Sequence, residues 1–190
     1  MQVQEQCIPP AFSAAKKMKS KTHRKKRWAL FFAGLIAIII GVSVLGFFGI
    51  RKIYREWKKQ KLMHENPVVE ITDLNIKAPI LEGTDNSILS KAVGHFSGSG
   101  DFGKGNYCIA GHSSTIYKEY FNNLKNIEIG MTITLYNKDK KSYNYTVAEM
   151  NIVEPNEIWV LDDFGDNRIT IITCTDDGSQ RLVVVGLLQQ

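Results

Sequence analysis

Cysteine is scarce in this chain of 190 residues, with only Cys7, Cys108 and Cys174. So few thiols exclude the disulfide framework of a small secreted scaffold and leave room for a single working thiol. No Cys or His pair has zinc-like spacing, and none of the acidic stretches has the regular ligand spacing of a calcium loop. We therefore expect no metal and no cofactor; calcium at Asp176, Asp177 or within 154–166 is conceivable but has no such spacing behind it. Acid is nearly missing from the first third: residues 1–61 hold 14 Lys+Arg against 2 Asp+Glu, whereas residues 62–190 hold 10 against 17. The net charge of +5 hides this split. A basic protein suggests nucleic acid, but the acidic C-terminal part would be repelled by phosphates, so no nucleic-acid partner is expected. Charge of either sign is absent from Trp28 to Ile50, and no internal repeat or low-complexity tract stands out.

The uncharged run is long enough to cross a bilayer core, which takes ~20 residues. It exceeds the h-region of a signal peptide, and no clear A-x-A site follows, so cleavage is the lesser alternative. Nothing on it is polar enough for the solvent face of a core helix. Eight Lys and Arg residues precede it and six follow. The denser N-terminal cluster places the N-terminus in the cytoplasm and the C-terminal domain outside, with membrane lipid as a partner. The expected organisation is a basic, disordered cytoplasmic tail (1–27), a transmembrane helix (28–50), a partly helical linker (51–66) and a domain from Pro67 to the C-terminus (67–190). Cys7 would lie on the cytoplasmic side, as an acylation site or an inert thiol.

Beyond Pro67 the chain is rich in short β-branched runs between turn residues. Strands are expected at Val68–Ile71, Ile76–Ile80, Tyr107–Gly111, Thr132–Tyr136, Ser142–Ile152, Arg168–Cys174 and Arg181–Leu187. A hairpin turn is expected at Asn137–Lys141, and short helices at Ser87–Val93, opened by Asp85 or Asn86, and at Tyr117–Leu124. Many short strands with little helix indicate an all-β, closed or nearly closed barrel.

Three reactive groups fall at strand ends. Cys174 ends Arg168-Ile-Thr-Ile-Ile-Thr-Cys174, Arg181 opens an otherwise apolar strand, and His112 ends Asn106-Tyr-Cys-Ile-Ala-Gly-His112. A thiolate can attack an acyl carbon, an imidazole can give and take protons, and a guanidinium can steady an oxyanion. The alternatives are a buried structural Cys174, a structural His112, and an Arg181 held by Asp176 or Asp177. Cys108, on one face with residues 110 and 112, reads as a packed core thiol. Gly111 reads as the residue that allows a tight turn out of the strand. Arg168 should lie about 20 Å from Cys174 by strand rise. His95, in Val93-Gly-His-Phe-Ser-Gly98, is the competing histidine.

These residues carry a family resemblance. Thr170-Ile-Ile-Thr-Cys174 resembles the TLxTC signature of the sortases, with Ile171 in place of the usual Leu. Ala110-Gly-His112 is similar to their histidine motif, and Arg181 falls where their arginine is expected. The resemblance runs from about Pro67 to the C-terminus, taking in Ala78-Pro-Ile-Leu-Glu-Gly-Thr84 and Val93-Gly-His-Phe96. It implies an eight-stranded barrel with the site at one end, and catalysis by His112, Cys174 and Arg181. Thr173 and the apolar loop members Ile158, Trp159, Val160 and Leu161 would then contact substrate, although plain packing explains the loop members equally well. The implied reaction cleaves an LPxTG-like sorting signal on a surface protein through a thioacyl enzyme. Transfer then goes to an amine from a cell-wall precursor or a pilin lysine. The short stretch between the last motifs points to a class D-like or class A-like member. Two other readings stand beside it: a membrane-tethered barrel that binds through an inert Cys174, and a cysteine peptidase that only hydrolyses.

Overall fold

The computed structural model describes the backbone of residues 11–113 and 120–189, and the side chains of residues 28, 30–113 and 120–189. Cys7 and the first part of the helix expected at Tyr117–Leu124 lie outside the described residues. The chain forms two compact units that divide after Arg55.

The described backbone of the first unit lies in helix α1, Ala11–Glu65, which continues into the second. The basic stretch expected to be disordered is helical from Ala11. Lys and Arg are good helix formers, and extending an existing helix needs no new nucleus. The apolar side chains between Trp28 and Ile50 are exposed, Leu30 by 73% and Leu45 by 75%. Such a helix is long and apolar enough to cross a membrane, and is compatible with an anchor.

In the second unit the expected linker is helical as far as Glu65. Asn66 ends the helix, its Nδ2 and backbone N–H donating to Leu62 O at 3.0 and 3.1 Å. Pro67 then prevents continuation. Eight strands follow: β1 (Val68–Ile71), β2 (Ile76–Glu82), β3 (Val93–His95), β4 (Asn106–Ala110), β5 (Thr132–Tyr136), β6 (Ser142–Val153), β7 (Arg168–Cys174) and β8 (Arg181–Leu188). They close into a barrel in the order β1-β2-β3-β4-β7-β8-β6-β5. Pairings are antiparallel except β2–β3 and β4–β7, which are parallel. Inward residues of alternate positions, among them Val69, Ile71, Ile109, Ile133, Ile169 and Ile171, fill the interior. Burying each such side chain contributes about 1.5–3 kcal/mol.

β8 is apolar on both faces for a structural reason. Val184 points into the barrel, while Val183 and Val185 form a second cluster with Val153 and Val160 under the β6–β7 loop. A strand covered on both sides loses the alternation of a half-buried one. The expected hairpin at Asn137–Lys141 is present, closed by Asn137 N–H to Lys141 O at 3.0 Å. The helix expected at Ser87–Val93 is a single turn, α2 (Asn86–Leu89), and the Asp85 side chain before it makes no capping bond. Its expected last residue, Val93, instead starts β3, a strand that the sequence pattern does not announce. At Gly94 a Cβ would lie 2.3 Å from Gly83 O, so a glycine is required where β3 passes the end of β2.

Candidate active site

β7 carries Cys174 at its C-terminal end, and both neighbours bring a functional group to it. The antiparallel β7–β8 register pairs Cys174 with Arg181 directly. Opposed residues of this kind lie about 4.5–5.5 Å apart at Cα and project to the same face. On the other side, the parallel β4–β7 register pairs Ala110 with Ile172. It continues past the ladder: Gly111 N–H donates to Ile172 O at 3.1 Å, and Thr173 Oγ1 donates to Gly111 O at 2.8 Å. Continued past Ala110 and Ile172, this register runs towards His112 on one strand and Cys174 on the other. Thr173 is buried, and its hydroxyl ties the strand bearing the thiol to the strand bearing the imidazole.

Gly111 has a different reason from the one expected. Its φ is not positive, and a Cβ there would meet the Phe121 ring at 2.6 Å. The requirement is close approach by Phe121, whose N–H also donates to His112 O at 3.3 Å. The chain therefore leaves β4 pinned under an aromatic ring.

A cavity of about 350 Å³ opens at Cys174. Met150, Ile152 and Leu182 give it an apolar side; Ser113, Lys125, Thr175 and Asp176 give it a polar one. A larger cavity of about 730 Å³ lies between the end of α1 and the barrel, lined by Trp57, His64, Lys77 and Tyr136 among others. It is lined by no cysteine, so the thiol rather than volume decides which cavity is the candidate site.

The two described thiols differ in setting. Cys108 is completely buried, and burial pushes its thiol up to about 11. Cys174 is half-buried at the barrel rim. A buried thiol with so high a pKa supplies almost no thiolate at neutral pH, which removes Cys108 as a rival nucleophile.

Arg181 is not held by a carboxylate of its turn. Its Nη1 donates to Gly178 O at 3.3 Å and Gln180 O at 3.0 Å. Asp176 pairs with Lys125 at 2.7 Å, and Asp177 accepts bonds from Thr175 and Ser179. Among the described residues no carboxylate pairs with the guanidinium. Arg168 sits at the far end of β7, bound to Asp166 and stacked over Phe164 at 4.2 Å. His95 lies between Glu82 (2.9 Å) and Ser99 (3.0 Å), stacked on Tyr107.

The loop residues divide. Ile158–Leu161 form a short 3-10 helix, with Ile158 and Trp159 exposed and Val160 buried. Trp159 and Val160 line a separate cavity of about 150 Å³ near Arg168, and Leu161 packs against the second apolar cluster. Sequence reasoning passed over the residue that fastens this loop. Asn106, 2% exposed, donates from Nδ2 to Val160 O at 3.1 Å and Asp162 O at 2.8 Å, and accepts from Thr170 Oγ1 at 2.7 Å. The only sequence signal was an amide at the head of an apolar strand. Lys125, Met150 and Ile152 were also missed, because nothing local to them marks a site.

A family model described as the sortase domain matches residues 69–189. A sortase A of Streptococcus agalactiae serotype III (strain NEM316) is 32% identical over 141 residues, covering 69% of this chain and 57% of that protein. A sortase A of Bacillus anthracis is 30% identical over 120 residues, covering 62% of this chain and 57% of that protein. The match thus spans little more than half the length of these relatives. Among solved structures, a lid mutant of sortase A from Corynebacterium diphtheriae superposes with a TM-score of 0.61 at 28% identity, covering 66% of this chain and 70% of that one. A Clostridium perfringens sortase D5 transpeptidase gives 0.60 at 28% identity, covering 71% and 89%.

Proposed function

Because the chain belongs to the sortase family, we propose that it is a membrane-anchored cysteine transpeptidase that cleaves an LPxTG-like sorting signal and passes the released protein to an amine. The observation that supports this reading is the direct pairing of Cys174 with Arg181 across β7 and β8, with Gly111, the residue before His112, hydrogen-bonded to Ile172 and Thr173 of β7. The Cys174 thiolate attacks the carbonyl carbon of the signal's threonine, and Arg181 steadies the oxyanion. His112 protonates the departing amine as the C–N bond breaks, leaving a thioester on Cys174. An amine from a cell-wall precursor or a pilin lysine then resolves the thioester. Thr173, which lines the cavity at Cys174, contacts the substrate, whereas Trp159 and Val160 line the separate cavity near Arg168.

The six-residue turn Thr175–Gln180 contains no helix, which supports a class D-like or class A-like member. The apolar helix supports anchoring, and the denser basic cluster before it supports an inside N-terminus with the barrel outside. The surface proteins that carry the sorting signal are the clients.

The test uses the full chain in detergent and a panel of fluorogenic LPxTG-like peptides. Wild type is expected to cleave a member of the panel and to accumulate a mass adduct on Cys174. Cys174→Ala is expected to lose cleavage by at least about a thousandfold, while Cys108→Ala retains it. Equal background from wild type and Cys174→Ala across the panel would reject the reading.

A further inference from the structure

The ion pair of Lys125 and Asp176 stands in the same cavity as the nucleophile. Lys125 Nζ lies 2.7 Å from Asp176 Oδ2, and both residues line the 350 Å³ space with Cys174. They come from different elements, Lys125 from the 3-10 turn Leu124–Asn126 and Asp176 from the turn after β7. The adjacent Asp177 shows what a purely structural carboxylate looks like here. It accepts from Thr175 Oγ1 at 2.6 Å, Ser179 Oγ at 2.7 Å and Ser179 N–H at 3.1 Å, and these bonds hold it down to about 2. Asp176 has no such place in the turn's own bonding. Its partner is a primary alkylammonium on a long side chain, and the two side chains are 60% and 46% exposed. An exposed pair of this kind contributes little to stability and separates readily.

We propose that Asp176 is the docking residue for the ammonium group of the acceptor that resolves the acyl-enzyme, and that Lys125 fills this seat until the acceptor displaces it. The proposal rests on the transpeptidase reading above and assigns a residue to its second half-reaction. A primary amine arrives mostly protonated at neutral pH, and a carboxylate in the nucleophile's own cavity concentrates it there. Lys125 is chemically the same ligand, so its position marks where an alkylammonium sits. The docked ammonium loses one proton to solvent, and the free amine attacks the thioester carbonyl carbon. The C–N bond forms, the C–S bond breaks, and sulfur leaves as the Cys174 thiolate. The second proton from nitrogen passes through His112 to that thiolate. Water, the competing nucleophile, has no charge for Asp176 to hold, so the carboxylate favours transfer over hydrolysis.

The pair makes predictions of opposite sign. The full chain is given a cleavable LPxTG-like peptide with increasing triglycine amide, and transfer and hydrolysis products are separated by mass. Asp176→Asn is expected to raise the amine concentration needed for equal transfer and hydrolysis by roughly three- to fivefold. Lys125→Met is expected to lower it by a similar factor, and the double variant to behave like Asp176→Asn alone. Asp176→Glu, which keeps the charge, should stay closer to wild type. If both single variants shift the partition in the same direction, or neither shifts it, the pair only staples the turn and the proposal fails. A wild type that cleaves peptide with an unmoved partition in every variant overturns this proposal alone. A wild type that forms no acyl-enzyme overturns the transpeptidase reading and this proposal with it.

Discussion

At one end of β7 stands Arg168; at the other stands Cys174, with Arg181 across from it. The first arginine is neutralised by Asp166, stacked over Phe164 and largely enclosed. Among the described residues, the second is bonded only to carbonyl oxygens of its own turn. The parallel neighbour β4 follows the same division. Its first residue, Asn106, is buried with three side-chain hydrogen bonds and holds a loop against the barrel, whereas its far end runs out through Gly111 and His112 to Ser113, which lines the cavity at Cys174. One end of this strand pair has its arginine paired with a carboxylate, and at the other, among the described residues, Arg181 has none. A cation that retains its charge is useful to a developing anion; one already paired is not.

The sharpest way to break this contrast is to remove each arginine in turn. Arg181→Ala is expected to lower kcat by about a hundredfold or more, the scale for an oxyanion donor, with little change in melting temperature. Arg168→Ala is expected to leave kcat within about twofold while costing about 1 kcal/mol of stability, as for a partly buried ion pair. Equal kinetic losses from the two would erase the distinction between the ends.

Next in size is Asn106→Ala at the closed end. It strands the Thr170 hydroxyl and the carbonyls of Val160 and Asp162, so unfolding in urea should show a loss of about 1–3 kcal/mol. Proteolytic nicking within residues 154–167 should rise in parallel. A variant as stable as wild type and as resistant to protease would show that the loop is held by apolar packing alone.

The division also explains how much could be read beforehand. β7 and β8 were legible because β-branched runs are bounded by an acidic turn, and the thiol and guanidinium mark their facing ends. The core fate of Cys108 was legible from its place in an apolar run. β3 was not, because three residues centred on glycine carry neither periodicity nor propensity, and its pairing is decided by clearance at Gly83. The 3-10 stretch Leu124–Asn126 offered no cue that Lys125 reaches the rim, since that placement depends on Phe121 packing against Gly111. Asn106 was passed over for a similar reason: its partners lie in a distant loop, and an amide alone does not announce them.

The smallest expected effect sharpens the contrast between the two thiols. Burial raises the folded pKa of Cys108 to about 11, above the ordinary value of about 8.5. The unfolded chain therefore ionises first on the alkaline side. The stability from keeping this thiol neutral is complete below about pH 8.5 and is lost as pH rises towards about 11. Denaturation midpoints should fall across that window by an amount worth on the order of 2 kcal/mol or less, and Cys108→Ala should fall less steeply. An unchanged slope would show that Cys108 does not set the alkaline limit.

The parallel pairing of β4 with β7 has a consequence in time. Gly111 and Thr173, whose hydrogen bond joins the two strands at the site, are 62 residues apart. The hairpins β5–β6 and β7–β8 close through turns of only a few residues. Closing the longer loop costs roughly 2 kcal/mol more in chain entropy than closing a five-residue turn, and it must be met before the interior contacts that repay it exist. A refolding chain therefore gathers its hairpins first and joins Gly111 to Thr173 late. Strand content measured by circular dichroism should recover ahead of reactivity towards substrate, because the strand that carries the thiol joins β4 across one of the long-range pairings of the fold.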